Sequence, residues 1–173
     1  DSCTSYGTQL FWPFSNHRVS WNTISIIDPM FTIPLLIFII IAVVKKNKIF
    51  SRIAFSWIIM YFILGIVQHE RAKYFGKQIA LSRGHTPVTI LVKPSIANLL
   101  VWKIIYSTKK NYYVDAVKIG LKNKIYEGSK INKLDVNKSF PWLDLNSQQA
   151  KDLERFRWFS SGYLAISKNH PSR

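Results

Sequence analysis

Two uncharged runs dominate the hydrophobic pattern, PMFTIPLLIFIIIAVV at residues 29–44 and IAFSWIIMYFILGIVQ at residues 53–68, and the basic string KKNKIFSR separates them. Each run holds 16 residues, short of the ~20 that cross a hydrocarbon core of ~30 Å, so hydropathy alone also allows two buried helices of a soluble protein. The basic connection and the aromatic residues Trp57, Tyr61 and Phe62 favour a two-helix transmembrane hairpin over residues 29–68. A short loop dense in Lys and Arg resists translocation, which places residues 45–52 in the cytoplasm. Arg71, Lys73, Lys77 and Arg83 beyond the second run argue for a cytoplasmic C-terminal side, so the side that this part faces stays open.

Asp28-Pro29 supplies a helix N-cap acceptor followed by a residue whose fixed φ suits the first helical position. After the second run the period persists but the composition changes. The string HERAKYFGKQIALSRGH, residues 69–85, sets Ala72, Phe75 and Ile79 on one face and Lys73, Lys77 and Arg83 elsewhere. It predicts an amphipathic helix at the lipid surface, touching it through Lys73, Lys77 and Arg83, with Gly84 as its stop. From Val88 onward, β-branched and aromatic runs take over: VTILVKP, LLVWKIIYST, YYVDAVKIGL and KIYEGSKI. They predict a small antiparallel sheet. NSQQAKDLERFRWF predicts a helix with Asn146 as N-cap, Gln149 completing a capping box, and Ala150, Leu153 and Phe156 turned inward. GYLAIS predicts a final short strand.

The fold class expected is an integral membrane α-helical hairpin followed by a small α+β domain with an antiparallel sheet. Its parts are an interfacial segment at 1–28, the hairpin at 29–68, the amphipathic helix at 69–85 and a basic strand-rich domain at 86–173. The chain opens at Asp1 without an initiator Met or signal peptide, and the reading expects an upstream helix before it.

Charge sharpens this division. The net charge is +15, and 19 of the 24 Lys and Arg and 7 of the 9 Asp and Glu lie after Gln68. So basic a surface attracts polyanions, and beside membrane helices the expected partners are membrane lipids rather than nucleic acid. The sequence does not specify an oligomeric state. The single Cys3 excludes a disulfide framework and a Cys-rich zinc site, and reads as a small packing residue. His17, His69, His85 and His170 show no i, i+3 or i, i+4 pairing that would converge on a metal. Ser2, Thr4, Ser5 and Thr8 have no histidine nearby in sequence to activate a nucleophile. Tyr6, Phe11, Trp12 and Phe14 fit an interfacial aromatic belt, and FRWF at residues 156–159 reads as packing onto the sheet rather than as a base-stacking platform. Asp1 and Asp28 are the only carboxylates among the first 69 residues. An acid beside apolar helices needs a partner, which makes both candidates for a site.

The string DSCTSYGTQLFWPFSNHRVSW, continuing to IIDPMF, resembles the LexA-regulated, membrane-bound, metal-dependent hydrolase family, the YdjM group. In that family an H-x-x-x-D helix motif runs into a T-x-x-G-x-x-x-x-W-P segment. Asp1 would end the first motif, Thr4, Gly7, Trp12 and Pro13 match the second, and Asp28-Pro29 matches a downstream D-P. ANLLVWK, YYVDAV and ERFRWFSSGYLA resemble later elements of one branch, with two departures: Ser161 where Asp is usual and His17 where Arg is commoner. Members of this branch also extend past the position of Arg173. The resemblance implies a multi-pass protein of the bacterial inner membrane and a divalent metal, zinc being one candidate. Asp1 would be a ligand, with Asp28 a group behind the ligands or a helix cap. Such a metal would generate hydroxide near neutral pH, and a lipid or lipid-linked ester or phosphoester is the substrate expected. The alternative from another class is a non-catalytic membrane anchor whose basic domain binds lipid or protein.

Overall fold

A computed structural model describes residues 2–166. Residues 2–28 form an irregular segment folded back on itself. A bridge joins Thr8 to Val19, and Trp21 N–H donates to Ser2 while the Thr23 and Ile24 N–H groups share the Cys3 carbonyl. Two helices follow, α1 (Pro29–Lys45) and α2 (Lys48–Ser82). Asp28 caps α1 as its sequence suggests, its carboxylate accepting from Phe31 N–H with Pro29 in the first turn. Lys46 turns the chain at a left-handed φ of 48° and Asn47 caps α2. So short a connection makes the two helices antiparallel neighbours.

The separation of residues 53–68 from an amphipathic helix at 69–85 does not survive, because α2 is one uninterrupted helix of 35 residues. The change from apolar to charged residues at Gln68-His69-Glu70 marks a change of surroundings. None of these residues breaks a helix, so the backbone hydrogen bonds run through. One stripe of α2 is buried along most of its length: Tyr61, Gly65, Gln68, Ala72, Gly76 and Ile79, spaced by threes and fours. Its small residues permit close approach. A Cβ on Gly65 would lie 2.7 Å from the Thr23 carbonyl oxygen, so residues 22–28 cover this stripe at the level of α1's start. Gly84 adopts φ 69° just beyond the helix.

The sheet is a meander, β1 (Thr89–Pro94), β2 (Val101–Ser107), β3 (Asn111–Lys118) and β4 (Lys124–Asn132), antiparallel throughout in the order β1-β2-β3-β4. Alternation sends Val92, Trp102, Ile104, Tyr106 and Val117 toward α2, where they join Ala72, Ile79 and Ala80 in the core. Between Val114 and Ala116 the register slips, so that Glu127 and Gly128 together face Asp115. A Cβ on Gly128 would fall 1.8 Å from the Val114 carbonyl oxygen, and glycine is what this bulge requires.

Two short helices complete the described residues, α3 (Val136–Ser139) and α4 (Gln148–Phe159). Ser147, rather than Asn146, caps α4 by accepting from Ala150 N–H. Of the residues expected inward, Ala150 is buried but Phe156 is 57% exposed. The strand expected at GYLAIS does not form over its described part. Its one backbone bond to the body among the described residues, Leu134 N–H to the Leu164 carbonyl, is too few for a ladder; side chains hold it instead, the Tyr112 hydroxyl donating to the Gly162 carbonyl and the Tyr163 hydroxyl lying 3.1 Å from Thr89 Oγ1, and Ser167 lies outside the described residues.

Candidate functional site

Asp28 is 5% exposed, and each of its carboxylate oxygens has a donor. Oδ1 accepts from Phe31 N–H at 3.3 Å and Oδ2 from the Tyr61 hydroxyl at 2.6 Å. The site is assembled where α1 begins against the middle of α2. Phe31 packs on Tyr61 with ring centroids 5.2 Å apart, and Trp57 donates its indole N–H to the Phe31 carbonyl at 3.2 Å. The β1–β2 turn closes the near side, where Ala97 N–H donates to the Ile27 carbonyl at 3.0 Å. Buried carboxylates persist only when bonded in this way. Asp28 is thus a helix cap and a joint between α1 and α2.

Asp1 lies outside the described residues. Thr4 Oγ1 accepts from Tyr6 N–H at 3.4 Å, Gly7 has φ 70°, and a cis peptide bond joins Trp12 to Pro13. Tyr6, Phe11, Trp12 and Phe14 are all exposed. Asn22 Oδ1 is buried without a hydrogen-bond donor among the described residues, but a lone amide oxygen is a weak ligand. No three His, Cys, Asp or Glu side chains converge among the described residues. These residues do not by themselves fit a divalent metal.

Lys73 and Lys77 are exposed on α2, and the Lys73 ammonium lies 3.9 Å from Glu70. Arg83 turns inward instead. Its guanidinium holds Asp115 at 2.7 and 3.0 Å and donates to the Tyr106 hydroxyl at 3.2 Å. The Asp115 bond, then the Tyr106 bond, raise the Arg83 pKa. Burial pushes the Tyr106 phenol up, opposed by Arg83. His85 Nδ1 lies 3.0 Å from the same hydroxyl, and its ring packs tilted against Tyr113 with centroids 4.5 Å apart. Sequence reasoning missed this cluster. The available signal was Asp115 itself, a carboxylate at an inward position of YYVDAV between Tyr113 and Val117, which calls for a cation.

FRWF also lies differently from its expected packing on the sheet. Trp158 and Phe159 are about half exposed and flank Arg18, whose guanidinium lies 4.5 Å from the Phe159 ring centre and donates to the Phe159 carbonyl.

Among known families, a likeness is found for the first part of the chain. Residues 1–72 match the YdjM inner membrane protein family. The matched stretch takes in Thr4, Gly7, Trp12, Pro13, the Asp28–Tyr61 pair, all of α1 and α2 as far as Ala72, and leaves the sheet outside it. No curated protein and no solved structure matches the chain.

Proposed function

We propose that the chain is the anchoring and surface part of a membrane-bound metal-dependent hydrolase, with α1 and residues 53–68 of α2 inserted in the bilayer as a hairpin. The observation that carries the membrane part is that α1 buries none of its residues. Met30, Ile33, Leu36, Ile40 and Val44 on α1, and Phe55, Ile59, Ile63 and Val67 on α2, stay exposed. An apolar surface this continuous is a lipid-contact surface. By length and composition α2 is the one described helix able to cross a membrane alone. The 17 residues of α1 rise about 26 Å and cross beside it. Lys45, Lys46, Lys48 and Arg52 then sit at the cytoplasmic turn. The rest of α2 carries the sheet out on the opposite side.

This topology predicts the labelling of cysteines placed at Lys48 and Asn123 on a Cys3→Ser background. A membrane-impermeant thiol reagent should label the Asn123 variant in intact spheroplasts and spare the Lys48 variant, and the reverse pattern would invert the topology.

The hydrolytic part rests on the family resemblance. It assigns Asp1 to a divalent metal, with a lipid or lipid-linked ester or phosphoester as substrate, while Asp28 holds the adjoining helices in place. In the protein carrying the complete H-x-x-x-D motif, Asp1→Ala should remove most of the bound metal by elemental analysis. Asp28→Asn should remove less. Unchanged metal in Asp1→Ala would remove Asp1 as a ligand, whereas no bound metal in the parent protein would leave the second reading, a non-catalytic anchor, which the full occupation of both Asp28 oxygens by Phe31 and Tyr61 favours.

A further inference from the structure

Lys93 and Lys103 stand directly opposite each other in the β1–β2 register. Their neighbours Val92, Trp102 and Ile104 point toward α2, so alternation sends both lysines to the far face of the sheet, with Cβ atoms ~5 Å apart. Arg18 comes to this face from the N-terminal segment: it is held at the ring and carbonyl of Phe159, and Tyr163, four residues further on, lies 3.1 Å from the hydroxyl of Thr89, which shares the far face of β1 with Lys93. Burial and then the charges of Lys103 and Arg18 hold the Lys93 ammonium below its ordinary pKa. None of the ion pairs among the described residues involves any of these three cations. Like charges facing each other across strands destabilise a sheet, and an antiparallel pair elsewhere would ordinarily set an acid opposite one of them.

The surroundings are those of a membrane surface. Lys93 lies one residue before the end of β1, and the turn that follows is bonded through Ala97 to the Ile27 carbonyl and the Ser25 hydroxyl, immediately before α1. Ile96 and Leu100 in that turn, and Ile26 and Ile27 beside it, are exposed. A cationic cluster therefore borders an apolar rim at the level where α1 begins.

We propose that Arg18, Lys93 and Lys103 form a binding site for a phosphate-bearing anion, held between the strands and the N-terminal segment. Arg18 offers a planar fork of donors and the lysines two point charges, a combination that suits a phosphoester. The site rests on the membrane reading only for the source of its ligand, a lipid headgroup, because a soluble phosphate would meet the same three cations.

The test is thermal unfolding of the full chain in detergent, titrated separately with phosphatidylglycerol, phosphatidylcholine and inorganic phosphate. Phosphatidylglycerol at ~100 times its Kd should raise the midpoint by roughly 5–10 °C, and phosphatidylcholine should raise it less. Lys93→Gln/Lys103→Gln should lose the shift, and Lys103→Gln alone should lose part of it. The control Lys73→Gln/Lys77→Gln should keep it. Without anion the double variant should be at least as stable as the parent, since a like-charge pair has gone. A matching shift from inorganic phosphate, lost in the same variants, would support the site and make its ligand a soluble phosphate. No shift with either anion, or an undiminished shift in the double variant, would overturn the site. Membrane fractionation of the same proteins reads the hairpin separately: release into the aqueous phase would refute the hairpin while leaving the inorganic phosphate result standing.

Discussion

Arg83→Met should lower the stability of the chain by about 3–5 kcal/mol, the range found when one partner of a buried pair is removed. Asp115 is 3% exposed. Its carboxylate accepts two parallel bonds from Arg83 and one from Gly128 N–H at 2.9 Å. With Met at 83, only the Gly128 bond is left to hold a buried charge. Glu127, also within 3.8 Å of Arg83, is 85% exposed on its side chain and contributes little. Adding Asp115→Asn to the variant should recover part of the loss, because the uncompensated charge disappears. Arg83→Lys should fall between the two, keeping the charge but losing the fork. Urea unfolding in detergent measures all three, and a loss below about 1 kcal/mol for Arg83→Met would mean that solvent already screens the pair.

The Arg83 pair also shows where the sequence is legible and where it is not. Uncharged runs and a basic turn mark α1 and the start of α2, because bilayer-length apolarity is a local property. The four strands follow from their β-branched and aromatic runs for the same reason. Asp28 as a helix cap is visible in two adjacent letters. Arg83, by contrast, reads locally as one more cation of an amphipathic surface, and only the bulge opposite Asp115, 32 residues away, assigns it a partner. Arg18, Lys93 and Lys103 are further out of reach: the lysine pair needs the β1–β2 register, and Arg18 needs the fold of residues 2–28. GYLAIS has strand composition but no free edge pairs with its described residues, so tertiary context overrides propensity. The continuity of α2 through Gln68 is not legible because a change from apolar to charged residues marks a change of surroundings and leaves the backbone hydrogen bonds intact.

That continuity makes Trp102 the residue on which the joint between hairpin and sheet depends. It is fully buried, and its indole N–H donates to the Leu99 carbonyl at 2.8 Å. The His69 ring stands edge-on to it at 5.8 Å, and burial pulls the His69 pKa down. Gln68, one residue earlier on α2, donates to the Leu99 and Ile119 carbonyls at 3.4 Å each. Trp102→Ala should therefore cost about 3–5 kcal/mol through the cavity and lost contacts. Trp102→Phe should cost less, since most of the ring volume remains and the loss of the indole bond adds ~1 kcal/mol. The damage should be local, because α1 is held to α2 by Asp28, Tyr61 and Trp57 rather than by this tryptophan. Hydrogen exchange on the Trp102→Ala protein should accelerate in β2, β3 and the part of α2 after Gln68, and leave the amides of α1 unchanged. Equal acceleration in α1 would show that the two helices and the sheet unfold as one unit, with the sheet supporting α1 as well as the end of α2.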